Sequence, residues 1–201
     1  MVDLREQGIS FEHWCFACGD ENPRGLHVRM YATREGAFAR YTPERAHQGY
    51  DGTVHGGIVT ALLDEVMAWS MFLRGGWGVT ARLTVTFREP VRVGEPLLAS
   101  GRIARDRGRG VETAATLVRE SDARLLAEAE ALFLPMPDDT QAELARRYGA
   151  EADVLARVRA AVEGEGLATN GARVSGGTAG PSESRRGRGL VRHQEQVGVC
   201  A

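Results

Sequence analysis

The segment His47-Gln48-Gly49-Tyr50-Asp51-Gly52-Thr53-Val54-His55-Gly56-Gly57 gathers polar groups and glycines directly ahead of an apolar stretch. In that stretch Ile58, Val59, Ala61, Leu62, Leu63, Val66, Met67, Ala68, Trp69, Met71, Phe72 and Leu73, taken at a helical period, cover nearly the whole circumference. The pattern predicts an enclosed helix that ends at Gly75-Gly76. Gly56 and Gly57 then stand at its start, where unpaired N–H groups and the positive dipole end favour negative charge developing on an oxygen. That is oxyanion chemistry. A side chain at Gly57 would also obstruct a bulky group approaching the backbone. The plain alternative is a loop-to-helix turn. Asp64 tips the balance, because a carboxylate on an otherwise apolar helix is expensive to bury without a compensating role. Glu65 is the rival acid, about 100° around the helix.

The elements that must position these groups are readable from periodicity. Residues 26–33 and 37–42 alternate around Glu35-Gly36 and predict a hairpin. The loop over 43–56 has no periodicity, and loops of this length tend to carry function. Four further strands are expected at 79–89, 95–105, 110–120 and 124–135, joined by turns containing Pro90, Gly94, Gly108 and Asp122. The order β-β-α-β-β-β-β has a simple joint solution in which a curved antiparallel sheet wraps the helix, an α+β fold. Residues 140–163 have helical composition with sparse apolar positions. Residues 164–201 hold Gly, Ser, Thr and Arg without periodicity and are expected to form a disordered tail.

With the residues in view, the chain resembles the hotdog-fold acyl-CoA thioesterases, in the phenylacetyl-CoA thioesterase branch. The resemblance rests on Val54-His55-Gly56-Gly57 capping the central helix, on an acid nine positions after His55, on the strand from Val79 to Pro90, and on Val93-Gly94-Glu95-Pro96-Leu97. It covers residues 25–135, in the family's order. It implies a hotdog domain over 25–137 with about six strands around one long central helix, preceded by an N-terminal segment over 1–24 and followed by an extra helix over 138–163. It implies Asp64 as general base or nucleophile, the Gly57 N–H polarising the thioester carbonyl, His55 positioning the carbonyl or leaving sulfur, and Thr80 holding the attacking water. It further implies that acyl-CoA is the substrate, that Arg107 and Arg109 meet its phosphates, and that Gly110 and Thr86 lie against it. A solvated turn is the equal alternative for the arginines. The two halves of the site would come from different subunits of a homodimer, or of a tetramer built from two dimers. Several relatives have Asn where this chain has Gly49, a place that Gln48 or His47 would have to fill.

Composition bounds the rest. Lys+Arg 25 against Asp+Glu 27 gives a formal charge of −2, which favours neither nucleic acid nor an anionic membrane. Every cation is Arg, which reads as a compositional habit. Gly is abundant at 25 residues, as many turns or a loose tail require. No apolar run approaches the ~20 residues that span a bilayer, and no signal-peptide pattern opens the chain, so a cytoplasmic protein is expected. Three cysteines, Cys15, Cys18 and Cys200, argue against a disulfide framework. The Cys15-x-x-Cys18 pair has only His13 and His27 nearby as partners, and reads as plain thiols with no metal or cofactor expected. Phe11, Trp14 and Phe16 read as a hydrophobic flap over the sheet. Met67, Trp69, Met71 and Phe72 line an acyl tunnel or fill the core.

Two other readings stand beside the thioesterase. A hotdog enoyl-CoA hydratase has a segment like Gly19-Asp20-Glu21-Asn22-Pro23, but its His follows the Pro almost immediately, whereas His27 here is four residues on. A non-catalytic acyl-CoA sensor would normally need an effector module, and no helix-turn-helix pattern occurs in the first 25 residues.

Overall fold

The structure is a computed structural model that describes residues 1–171, with side chains through residue 164. Its elements are β1 (Val2–Asp3), β2 (Arg29–Ala32), β3 (Gly36–Tyr41), α1 (Gly56–Arg74), β4 (Gly78–Phe87), β5 (Leu97–Asp106), β6 (Val111–Arg119), β7 (Leu125–Pro135), α2 (Asp138–Arg147) and α3 (Ala152–Gly171). The strands form one antiparallel sheet in the order β1-β2-β3-β5-β6-β7-β4. The sheet curls around α1, as the joint solution requires.

The period of two explains how a thick helix fits there. The buried positions at the centre of the sheet are small: Ala37 and Ala39 on β3, Ala99 on β5, Ala115 on β6, and Ala127, Ala129 and Ala131 on β7. The helix supplies the volume with Leu62, Leu63, Val66 and Met67, all fully buried. Contact goes down to the backbone at Gly101, where an added Cβ would lie 2.3 Å from the Val66 carbonyl oxygen of α1. Beside it the buried Ser70 hydroxyl donates to the Val66 carbonyl at 2.7 Å and accepts the Ala37 N–H at 3.1 Å, tying helix to sheet. Gly101→Ala must push α1 off β5, and the expected loss is about 1–3 kcal/mol of unfolding free energy. Urea unfolding checks this, as a lower midpoint at unchanged slope; an unchanged midpoint would contradict the close packing.

The 19 residues of α1 are apolar enough to cross a membrane by length and composition. The sheet takes up its apolar surface instead, and Met67, Trp69, Met71 and Phe72 fill the core.

Three expectations need correction. The single C-terminal helix is two, because Gly149 at φ +58 turns the chain between α2 and α3. Helix α3 continues to Gly171, so the tail expected from 164 begins inside it, and 172–201 lie outside the described residues. The N-terminal segment is integral to the core: β1 pairs with β2, Leu4 and Ile9 are buried, and Phe11 stacks on Trp69 at 5.3 Å. Of the expected flap only Phe11 is covered, while Trp14 and Phe16 are exposed.

Candidate active site

The loop before α1 is held by its own polar side chains. His47 Nδ1 accepts the Glu44 N–H at 3.0 Å and lies 2.8 Å from the Tyr41 hydroxyl. Gln48 Oε1 accepts the Gly52 N–H at 3.3 Å. Both side chains are thus engaged in holding the loop. Gly49 itself lies against His55, with an added Cβ at 3.3 Å from the His55 Cα.

His55 is the N-cap of α1, and its Nδ1 accepts the Gly57 N–H at 2.9 Å. This corrects the expected geometry, in which the Gly57 N–H stood open. Imidazole is outside the usual Ser, Thr, Asp and Asn capping set, so nothing in the sequence pattern announced the cap. The donor left over is one residue earlier: among the described residues the Gly56 N–H has no protein acceptor. Phe87 at the end of β4 closes over Gly56, with its Cζ 3.3 Å from where a Cβ would be.

Asp64 is half-buried on α1, and its Oδ1 accepts the Thr80 hydroxyl of β4 at 2.8 Å. Burial raises its pKa above the ordinary carboxylate value, and the Thr80 hydrogen bond opposes that rise. The structure therefore joins two residues 16 apart that the sequence placed together only through resemblance. Glu65 faces away, toward the N-terminal segment, with Trp69 Nε1 donating to its Oε1 at 2.8 Å. Burial pushes its pKa up to about 7.

The remaining candidates are spread out. Nine residues of α-helix place His55 roughly 13 Å from Asp64 along the axis, so one chain does not bring them to a single reacting carbon. Thr86 pairs with Glu128 and lines a cleft with Thr84, Thr116 and Glu130. A bulge between Thr80 and Arg82 sets the register, so Thr86 shares the sheet face opposite α1 and does not join Asp64. Arg107 and Arg109 are exposed at the β5–β6 tip. Arg107 is paired with Glu112 at 3.3 Å, whereas among the described residues Arg109 has no acidic partner. Gly110 is tight, since a Cβ there would meet Leu132 at 2.9 Å.

Comparison with known proteins agrees with the fold. Residues 51–126 match the model of the thioesterase superfamily. The acyl-coenzyme A thioesterase THEM4 of Xenopus laevis is 31% identical over 135 residues, which is 67% of this chain and 54% of the relative. The chain thus spans about half the length of that curated relative. Among solved structures, the thioesterase superfamily protein RHA08564 aligns at TM-score 0.57 and 27% identity, covering 67% of this chain and 69% of its own. The smu.793 protein of Streptococcus mutans, bound to acetyl CoA, aligns at TM-score 0.51 and 19% identity over 54% of this chain and 88% of its own, a likeness of fold. With the sheet-wrapped helix, the His-Gly-Gly cap and the matched segment together, the chain is similar to the hotdog thioesterase superfamily, and residues 51–126 carry the family match.

Proposed function

We propose that the protein hydrolyses acyl-CoA thioesters to a free acid and CoA, with Asp64 as general base. The observation that carries this is the Asp64–Thr80 pair, a part-buried carboxylate held by a hydroxyl on a helix that is otherwise apolar. Thr80 donates to Oδ1 and keeps its lone pairs for a water, while Oδ2 takes that water's proton. The hydroxide formed attacks the thioester carbon. The oxyanion so created collapses, breaks the C–S bond and expels the CoA thiolate, which regains a proton.

The oxyanion is received at a helix N-terminus. The Gly56 N–H is ready for it, and the Gly57 N–H passes from His55 Nδ1 to the thioester oxygen as the substrate enters. This keeps Gly57 and His55 in the positioning roles that the resemblance implies, with exchange of the cap as the added step.

Distance requires a second copy. A reacting carbon must lie ~3–3.5 Å from its nucleophile, with its oxygen about 3 Å from the donors, and the helix separates Asp64 from Gly56 by roughly 12 Å within one chain. Strand β4 is an edge of the sheet, and its Val79 and Phe87 are 50% and 52% exposed. Unpaired strand edges favour pairing with another chain. Antiparallel pairing of β4 with the same strand of a second copy, about its middle, sets Thr80 of one copy opposite Val85 of the other, two residues from Phe87 on the same sheet face. Phe87 covers Gly56, so each Asp64 then faces the helix N-terminus of the other copy.

Arg109 is the cation open to the CoA phosphates. Arg109→Glu is expected to raise KM for acyl-CoA about tenfold, as for a lost charge-assisted contact, and to leave KM for a short thioester lacking the nucleotide unchanged. Arg107→Glu should have a smaller effect, because Glu112 already partners that side chain. Equal effects of Arg109→Glu on both substrates would remove Arg109 from the binding site. The function itself is tested by free-thiol release across a panel of acyl-CoAs. Saturable binding without turnover of any member would replace the enzyme with an acyl-CoA sensor.

A further inference from the structure

Outside the thioester site, the two cysteines of the N-terminal segment meet the second acid of α1. Cys15 Sγ, Cys18 Sγ and a carboxylate oxygen of Glu65 all lie within 4.8 Å of one another, although Glu65 is 50 residues from Cys15 in sequence. We propose that Cys15, Cys18 and Glu65 bind a divalent cation of the zinc class, with its fourth position opening into the adjoining cavity.

The donor set is one that zinc takes: two thiolates and a carboxylate. Tetrahedral zinc with Zn–S near 2.3 Å and Zn–O near 2.0 Å sets neighbouring S and O ligands roughly 3.5 Å apart, and Cys15 Sγ stands 3.8 Å from Glu65 Oε2. The other carboxylate oxygen is taken by Trp69 Nε1 at 2.8 Å, which orients the group and leaves Oε2 for the metal. The turn that brings the sulfurs together is made possible by Gly19. A Cβ there would lie 2.2 Å from the His13 carbonyl oxygen and 2.6 Å from the Cys15 nitrogen.

An independent observation points to a missing ligand. His13 is 3% exposed, and among the described residues its buried Nε2 has no hydrogen-bond partner. Its Nδ1 accepts the Cys15 N–H at 3.3 Å, so the neutral ring carries its proton on Nε2. Buried donors without acceptors are rare in native proteins. His13 lines the same cavity of about 180 Å³ as Cys15, Cys18 and Glu65, together with Trp77 and Tyr148. The oxygen of a water or hydroxide in the cation's fourth position would accept a hydrogen bond from that N–H. Binding displaces the two thiol protons to solvent, and it would fasten the N-terminal segment to α1 one residue from Asp64. His27, the other histidine near the pair in sequence, is exposed and takes no part.

The test uses the full chain with Cys200→Ser, so that every thiolate comes from Cys15 and Cys18. Metal analysis of protein purified without chelator is expected to give one zinc per chain. Cobalt(II) added to reduced, metal-stripped protein should produce intense visible bands of a tetrahedral site and a thiolate-to-cobalt charge-transfer band. Cys15→Ser should abolish the charge-transfer band's full intensity, and Glu65→Gln should weaken affinity at least tenfold while keeping thiolate absorption. Should a variant fail to fold, the wild-type spectrum still decides. A cobalt spectrum without charge transfer in folded wild type, or zinc retained undiminished by both variants, would overturn the site. Thiol release from acyl-CoA is scored separately, so failure of the cation site and failure of the thioesterase are distinguishable.

Discussion

Asp64→Ala is expected to lower kcat for acyl-CoA hydrolysis by about a thousandfold or more, the range lost when a positioned general base is removed. Asp64→Asn should be nearly as inactive, since the amide keeps the shape and cannot take a proton. The two variants should nonetheless fold. Burial raises the Asp64 pKa in the folded protein, so the folded state prefers the protonated acid. The stability this side chain contributes is fully present below its unfolded pKa and is lost as pH rises through the folded pKa. At neutral pH the charged form therefore opposes folding, and Asp64→Asn is expected to raise Tm there while abolishing turnover. The same shift sets the acid limb of the rate profile, with activity falling as pH drops through a pKa above the ordinary carboxylate value. Thr80→Val removes the hydrogen bond that favours the carboxylate, and should move that limb to higher pH. Thiol-release kinetics against pH and thermal unfolding of the same variants check these outcomes. Full turnover in Asp64→Ala would end the assignment.

Mixing two inactive chains should restore activity. Asp64→Ala lacks the base but keeps an intact helix N-terminus; Gly56→Val keeps the base but sets a branched side chain against Phe87, where the thioester oxygen must arrive. If each site joins Asp64 of one copy to Gly56 of the other, a mixed two-fold dimer has one site with both lesions and one with neither. Random reassortment makes half of the dimers mixed, so about a quarter of wild-type activity should return in the mixture and about half in the isolated mixed dimer. If both groups instead served the same chain, every site would carry one lesion and no activity would return. Co-expression with two affinity tags, isolation of the mixed dimer and thiol release decide between them. A protein that sediments as a monomer at assay concentration and still turns over would remove the second copy from the mechanism.

The hairpin, the enclosed helix and the four later strands were legible because each depends on a local period: 3.6 for a helix buried all round, 2 for strands on a half-buried sheet, with Gly and Pro between them. The wrapped arrangement followed, since a sheet and an all-round apolar helix have few joint solutions. The importance of Asp64 was legible too, as one of the two acids that interrupt an apolar wheel. Other features depend on distances between residues far apart in the chain. The bulge between Thr80 and Arg82 assigns Thr80 to the helix face and Thr86 to the opposite one. Which amide stands open at the helix start depends on how His55 turns back to cap Gly57, and the cap moves the free donor to Gly56. Glu65, the rival acid in the helical pattern, gains its setting from Trp69 on its own helix and from Cys15 across 50 residues. Periodicity records which face of an element is covered. It holds no record of what covers it, because side-chain partners are selected when elements pack, through register, bulges and the small residues that let backbones meet.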